Sequence, residues 1–168
     1  KLKPTTRSAI VAMALLHFTV LAPSSGALTG WLRTQGTPTR HIAMARSVAQ
    51  AVGWVGACGM PFWIAVHGAE RSVRQAQSLQ LVALSAGVGA LWAVPGATGR
   101  GFFLLLVALS RLGLWAFDLA ERELVQRDAS DESRLLVFSV ERTGCQACSF
   151  AMHLACLGWH RPEDFVAL

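Results

Sequence analysis

Two residues of opposite charge, Arg111 and Asp118, interrupt an otherwise uncharged run from Gly101 to Leu119. They stand seven positions apart, which is two helical turns, so on one helix both side chains project from about the same side. In a bilayer each such group costs about 3 kcal/mol and turns toward a partner or a water-filled cavity. Two arrangements satisfy that requirement. Asp118 can sit at the membrane interface while Arg111 reaches outward along its aliphatic stem, or the two can mark a charged face lining a transport path.

Softer donors gather near the end of the chain, at Cys145, Cys148, His153 and Cys156. A Cys-x-x-Cys pair holds a soft metal when other ligands complete the set. Cys145 and Cys148 share a helical face and His153 and Cys156 share another, but the five-residue step from Cys148 to His153 fits neither. No second Cys pair and no zinc-finger or thioredoxin context surrounds them. Packing is therefore the default for the cysteines, and His153 is carried forward as a metal contact. His17 lies among Leu15, Leu16 and Phe18, where packing outweighs ligation, and His41 stands alone. Ser24 and Ser25 could supply oxygen ligands beside Pro23, or simply cap a helix. No phosphate loop, Ser-His-Asp set or paired carboxylate is present, so neither an enzyme nor a resident cofactor is expected.

The elements that must carry these residues are helices in lipid. Of 168 residues, 53% are hydrophobic and 15% charged, and the mean hydropathy is +0.43. Fifteen Gly, six Trp and no Tyr suit close helix packing and interfacial indoles. The net charge of +5 is spread as single arginines, a distribution that does not favour nucleic acid. Gly101 to Phe117 would span roughly 25 Å as a helix, and extension through Leu119 brings it to the ~30 Å hydrocarbon layer. A soluble core helix would rarely be this long without a polar face.

About five spans are expected over 1–168: 8–32 with an interruption, 41–66, 76–94, 99–119 and 135–159. In the first, Pro23 to Gly26 either breaks a membrane helix, freeing backbone that must face protein or water, or ends it at Ala22 and opens a loop. Gly53, Gly56 and Gly59 form a narrow smooth stripe for a close helix contact, and Pro61 would kink the same helix. The stretch from Leu119 to Arg134 is taken as a charged surface connector. Counting Lys and Arg on alternate sides gives eight against five, a small excess that favours a cytoplasmic amino end without resolving the topology.

Ser110-Arg111-Leu112-Gly113-Leu114-Trp115-Ala116-Phe117-Asp118-Leu119, with Glu132 and Arg134 beyond it, resembles the most characteristic segment of the ferroportin family of iron-regulated transporters. Leu15 to Leu21 and Thr34-Gln35-Gly36 resemble its seventh helix and following turn, and Val140-Glu141-Arg142 and Pro162 to Phe165 resemble the start and exit of its eleventh. The plastid-type branch of plants or algae is the most similar. The resemblance implies an all-α, major-facilitator-like second half whose full-length protein moves divalent metal, chiefly Fe(II) and also Co(II) or Ni(II), by alternating access. It implies a metal site shared by a broken helix seven, here Ser24 and Ser25 in place of a cysteine, and a histidine of helix eleven, one position from His153. The expected partners are the metal, the lipid bilayer and the first-half helices, in the same chain or a second one, and the expected membrane is the plasma membrane or the plastid envelope. A scaffolding or inactive membrane fragment is the alternative.

Overall fold

A computed structural model of the protein describes residues 2–22 and 25–158. Ser24, Trp159 and the exit segment at Pro162 to Phe165 lie outside them. Six helices form: α1 (Pro4–Leu16), α2 (Gly26–Thr34), α3 (Thr39–His67), α4 (Ala69–Ala93), α5 (Gly96–Asp128) and α6 (Asp131–Gly158). Local signals set several of their starts. Pro4 stands at the first position of α1, where its missing N–H is no loss, Pro38 and Pro95 precede α3 and α5, and Asp131 and Glu132 occupy the positive first turn of α6.

Three helices, α3, α4 and α5, are long and apolar enough to cross a membrane. At 33 residues, α5 is roughly 50 Å long and overshoots the ~30 Å hydrocarbon layer, so its polar carboxyl end stands outside it. α1 and α2, of 13 and 9 residues, reach only about 20 and 14 Å. Large apolar side chains face outward all around the bundle, including Trp54 at 68%, Phe62 at 73% and Trp92 at 73% exposure. In water such a surface would aggregate, and in lipid it is the solvent-matched face.

α5 is the axis. It packs against α4, α3, α1 and α6, and its Phe103 meets Trp31 of α2 edge-on at 6.2 Å between ring centres. The approach to α3 and α4 is backbone-close. A Cβ on Gly56 would lie 2.5 Å from the Leu112 carbonyl oxygen, and one on Gly113 would lie 2.7 Å from both the Ala76 oxygen and the Gln80 nitrogen. Gly53 abuts the Trp115 indole, whereas Gly59 has open space. The expected glycine stripe thus seats α3 on α5 through two of its three members. α3 continues through Pro61 as one helix.

Three expectations about the elements need correction. The link from α3 to α4 is the single residue Gly68, at φ +79° and ψ 152°, and not the stretch 67–75 left between the expected spans 41–66 and 76–94. A backbone state open essentially only to glycine reverses the chain at once, and Ser72, Val73 and Ala76 are then buried. The first helix ends at Leu16 and not at Ala22, because Val20 is drawn into a cluster with Leu28, Trp31, Phe103 and Met152. Finally, α5 runs on to Asp128, and Ala120, Glu121, Leu124 and Val125 are buried. Residues 119–128 of the supposed surface connector are nearly three turns of an amphipathic helix with α1 and α6 against it, and Asp131 to Arg134 open α6.

Candidate functional site

Between α1 and α2 the chain leaves helical hydrogen bonding, and its freed groups are met by neighbours. Arg111 of α5 donates from Nη2 to the Leu21 carbonyl at 3.3 Å. The Leu21 N–H donates to Thr19 Oγ1 at 3.2 Å, and the Ser25 N–H to the Ala22 carbonyl at 2.8 Å. On the far side Arg46 of α3 donates to Thr29 Oγ1 of α2 at 2.6 Å. The interruption is thus held from α5 through Arg111 and the first turn of α2 from α3 through Arg46, each a guanidinium whose fixed fork of donors suits carbonyl and hydroxyl oxygens.

The expected charged pair is divided. Arg111 faces the interruption, while Asp118 accepts from Arg122 at 3.2 Å one turn further along α5. The two share a helix but not a partner. Ser25 precedes α2 without a side-chain cap, and its carbonyl receives the Thr29 N–H and hydroxyl. His153 is exposed, with Nδ1 2.6 Å from the Ser149 carbonyl on its own helix. His17 is likewise bonded to its own helix, at the Met13 carbonyl 2.9 Å away, and His41 is exposed at a separate surface cavity. Cys58, Cys145, Cys148 and Cys156 are all free thiols. Among the described residues, no three His, Cys, Asp or Glu side chains gather as a metal cage.

Two residues passed over in the sequence occupy the interior instead. Met152, not His153, is the α6 residue turned toward the interruption. It is 9% exposed and lines a cavity of about 270 Å³ with Phe18, Val20, Leu21, Trp92 and Phe103. The Cys156 thiol donates to its Sδ at 3.7 Å. The second is Glu121, fully buried, with neither carboxylate oxygen hydrogen-bonded. Glu141 of α6 and Asp118 of α5 act on it with like charge and Arg122 with opposite charge. The signal for Glu121 was available: it shares the buried face with Ala120, Leu124 and Val125. The orientation of Met152 against His153 rests on a helix phase set only by packing.

At the outer end of α5, Asp128 ties down the start of the chain. It accepts from the buried Thr6 hydroxyl and pairs with Lys3 at 3.1 Å. The Thr6 hydrogen bond foremost, and Lys3 after it, hold its carboxyl below the ordinary carboxylate range.

Comparison with known proteins converges on one group. Residues 5–168 match the family model Ferroportin1 (FPN1). The chain is 31% identical over 156 residues to Solute carrier family 40 member 1 of Arabidopsis thaliana, covering 92% of this chain and 29% of that protein. It is 36% identical over 139 residues to Solute carrier family 40 member 1 of Oryza sativa subsp. japonica, covering 79% and 28%. In three dimensions it matches a bacterial metal transporter with TM-score 0.90 at 24% identity, over 99% of this chain and 44% of that one. It matches a bacterial homologue of the iron transporter ferroportin in the inward-facing state with TM-score 0.90 at 25% identity, over 98% and 41%. The chain spans about three tenths of the length of the curated relatives it matches. With the family match covering the interrupted helix, the Arg111 helix and α6 together, this chain belongs to the Ferroportin1 family of multi-pass integral membrane proteins.

Proposed function

We propose that this chain is part of the second half of a major-facilitator-like carrier whose full-length form moves divalent metal, chiefly Fe(II) and also Co(II) or Ni(II), by alternating access. The bond from Arg111 to the Leu21 carbonyl carries the reading. It joins the segment most characteristic of the family to the stretch between α1 and α2 where helix is given up. Backbone of that kind persists at membrane depth only where protein or water satisfies it, and it is where carriers hold their ions. The existence of relatives in inward-facing and outward-facing states supports the same cycle.

In this scheme five crossings are made, α1 and α2 together forming the first and α6 the last, and the first-half helices come from the same chain or a second one. Arg111 and Asp118 act as gating charges. Ser24 and Ser25 offer oxygen donors at the interruption, and His153 offers Nε2 from the open face of α6 to metal in transit. Residence in the plasma membrane or a plastid envelope accords with the plant relatives.

The test is flux. The full-length gene product in liposomes should carry Fe(II), Co(II) or Ni(II), and Arg111→Met should reduce that flux at least tenfold while the protein still elutes as a single species. Absence of flux for all three metals would replace the carrier with a membrane scaffold.

A further inference from the structure

Beyond the Gly68 turn, α3 and α4 both lie on α5 and enclose a groove of about 330 Å³ between them. Its deeper part is apolar, with Val55 and Met60 of α3, Leu79 of α4, and Leu112 and Ala116 of α5. Val55 and Leu79 are exposed, so the groove opens on the surface that faces lipid. Its other end, nearest the turn, is polar and holds Trp63, Ser72 and Gln75. We propose that this groove binds one anionic phospholipid, with its phosphate at Arg71 and one acyl chain laid between α3 and α4 on α5. The site requires only that these three helices stand in lipid, whatever the chain transports.

The dimensions suit one lipid tail. From Val55 to Trp63 the groove follows α3 for roughly 12 Å, against ~15 Å for the hydrocarbon of one leaflet. Gly59 keeps it open. Unlike Gly53 and Gly56, Gly59 seats no neighbouring helix, and a Cβ there would meet nothing; a larger side chain would occupy the groove itself.

The polar end matches the headgroup region. The Trp63 indole stacks on His67 with ring centres 4.2 Å apart and donates from Nε1 to Gln75 Oε1 at 2.8 Å, as suits an indole at the membrane–water interface. Gln75 retains its amide N–H groups as donors. Ser72 is fully buried in the groove wall and its hydroxyl has no partner, a costly state that an ester oxygen of a seated lipid would relieve.

Charge decides the class of lipid. Arg71, Gln75 and Leu79 recur every four residues along one side of α4, which puts Arg71 at the mouth of the groove that the other two line. Arg71 and the neighbouring Arg74 are exposed and enter no ion pair among the described residues, whereas Glu70 is turned about 100° from Arg71, away from the groove. A basic pocket between membrane helices selects anionic headgroups, and a guanidinium fork fits a phosphate.

The experiment uses the full-length protein, delipidated in detergent and offered phosphatidylglycerol, phosphatidylcholine or inorganic phosphate. Native mass spectra should retain one phosphatidylglycerol, bound at least tenfold more tightly than phosphatidylcholine. Gly59→Leu should weaken that binding at least tenfold and Arg71→Gln at least fivefold, while Arg100→Gln, at the opposite end of the bundle, matches the parent. Electron cryomicroscopy of the unmutated protein in phosphatidylglycerol nanodiscs should show one lipid between α3 and α4, a readout that needs no variant to fold. Equal retention of the two lipids, parental affinity in Gly59→Leu, protection by inorganic phosphate alone, or a groove filled by helices of the first half would overturn the site.

Discussion

The two sides of α5 are built on opposite terms. Toward α3 and α4 it meets backbone at distances that leave no room for a single added carbon at Gly56 or Gly113. Toward the interruption and α6 it meets a cavity, a lone guanidinium contact and a carboxylate without a partner. One side is close-packed and insensitive to anything but volume. The other is polar, partly hollow, and determined by a few long side chains. The proposed carrier would use both, since a packed interface transmits motion whole while the working site must be able to rearrange.

The sharpest way to break this contrast is to add volume on the packed side. Gly113→Leu or Gly56→Leu should leave no folded protein in detergent, because the displaced atoms are backbone; even the single carbon of Gly113→Ala should cost about 2–3 kcal/mol, at the upper end of overpacking penalties. Recovery of monodisperse Gly113→Leu by size-exclusion chromatography would mean that α4 and α5 are not held as described.

On the hollow side the expected effects are functional. Arg111→Met should lower metal flux tenfold or more with a thermal midpoint within a few degrees of the parent, and Arg111→Lys should restore part of it, since an ammonium keeps the charge and a donor for the Leu21 carbonyl but not the planar fork. Equal flux in the two variants would detach Arg111 from the interruption.

A smaller effect is expected at the end of α5. Asp128 has its pKa depressed in the fold. Its contribution is therefore present above the unfolded carboxylate value near 3.9 and is lost as pH falls through the lower folded value. Asp128→Asn should reduce stability by about 1–2 kcal/mol at pH 7. That difference from the parent should close only below about pH 4, and a gap that closes near pH 6 would remove the assignment.

Glu121 should go the other way. Replacing a buried, unsatisfied carboxyl by a similar apolar shape is neutral or stabilising, so Glu121→Met should raise stability by about 1 kcal/mol, and any accompanying loss of flux would show that the unpaired group is kept for transport. The smallest change belongs to Gly59→Ala, which meets open space and should stay within about 0.5 kcal/mol of the parent or gain slightly from helix propensity.

What the letters disclose depends on whether the cause is local. The helical runs and the close seating of Gly53 and Gly56 are readable from composition and spacing, as is the placement of a lone arginine, Arg111, in an apolar helix. The single-residue turn at Gly68 is not, because the charged residues after it suit a loop as well as a helix. The burial of Glu121 escaped because the four other acidic and three basic residues between Leu119 and Arg134 read as a wetted surface. Only the packing of α1 and α6 over that face reverses the conclusion. At Met152 and His153 the sequence offers two adjacent ligand types, and a rotation of about 100° per residue decides between them.

Gly68 has a mechanical meaning as well. A hinge one residue long, in a backbone state that side-chain-bearing residues avoid, provides no slack between α3 and α4, so a tilt imposed on either is passed undiminished to its neighbour and to the helix clasped between them. A displacement between α3 and the short helices before it would instead be taken up in the longer non-helical links, such as residues 35–38 between α2 and α3.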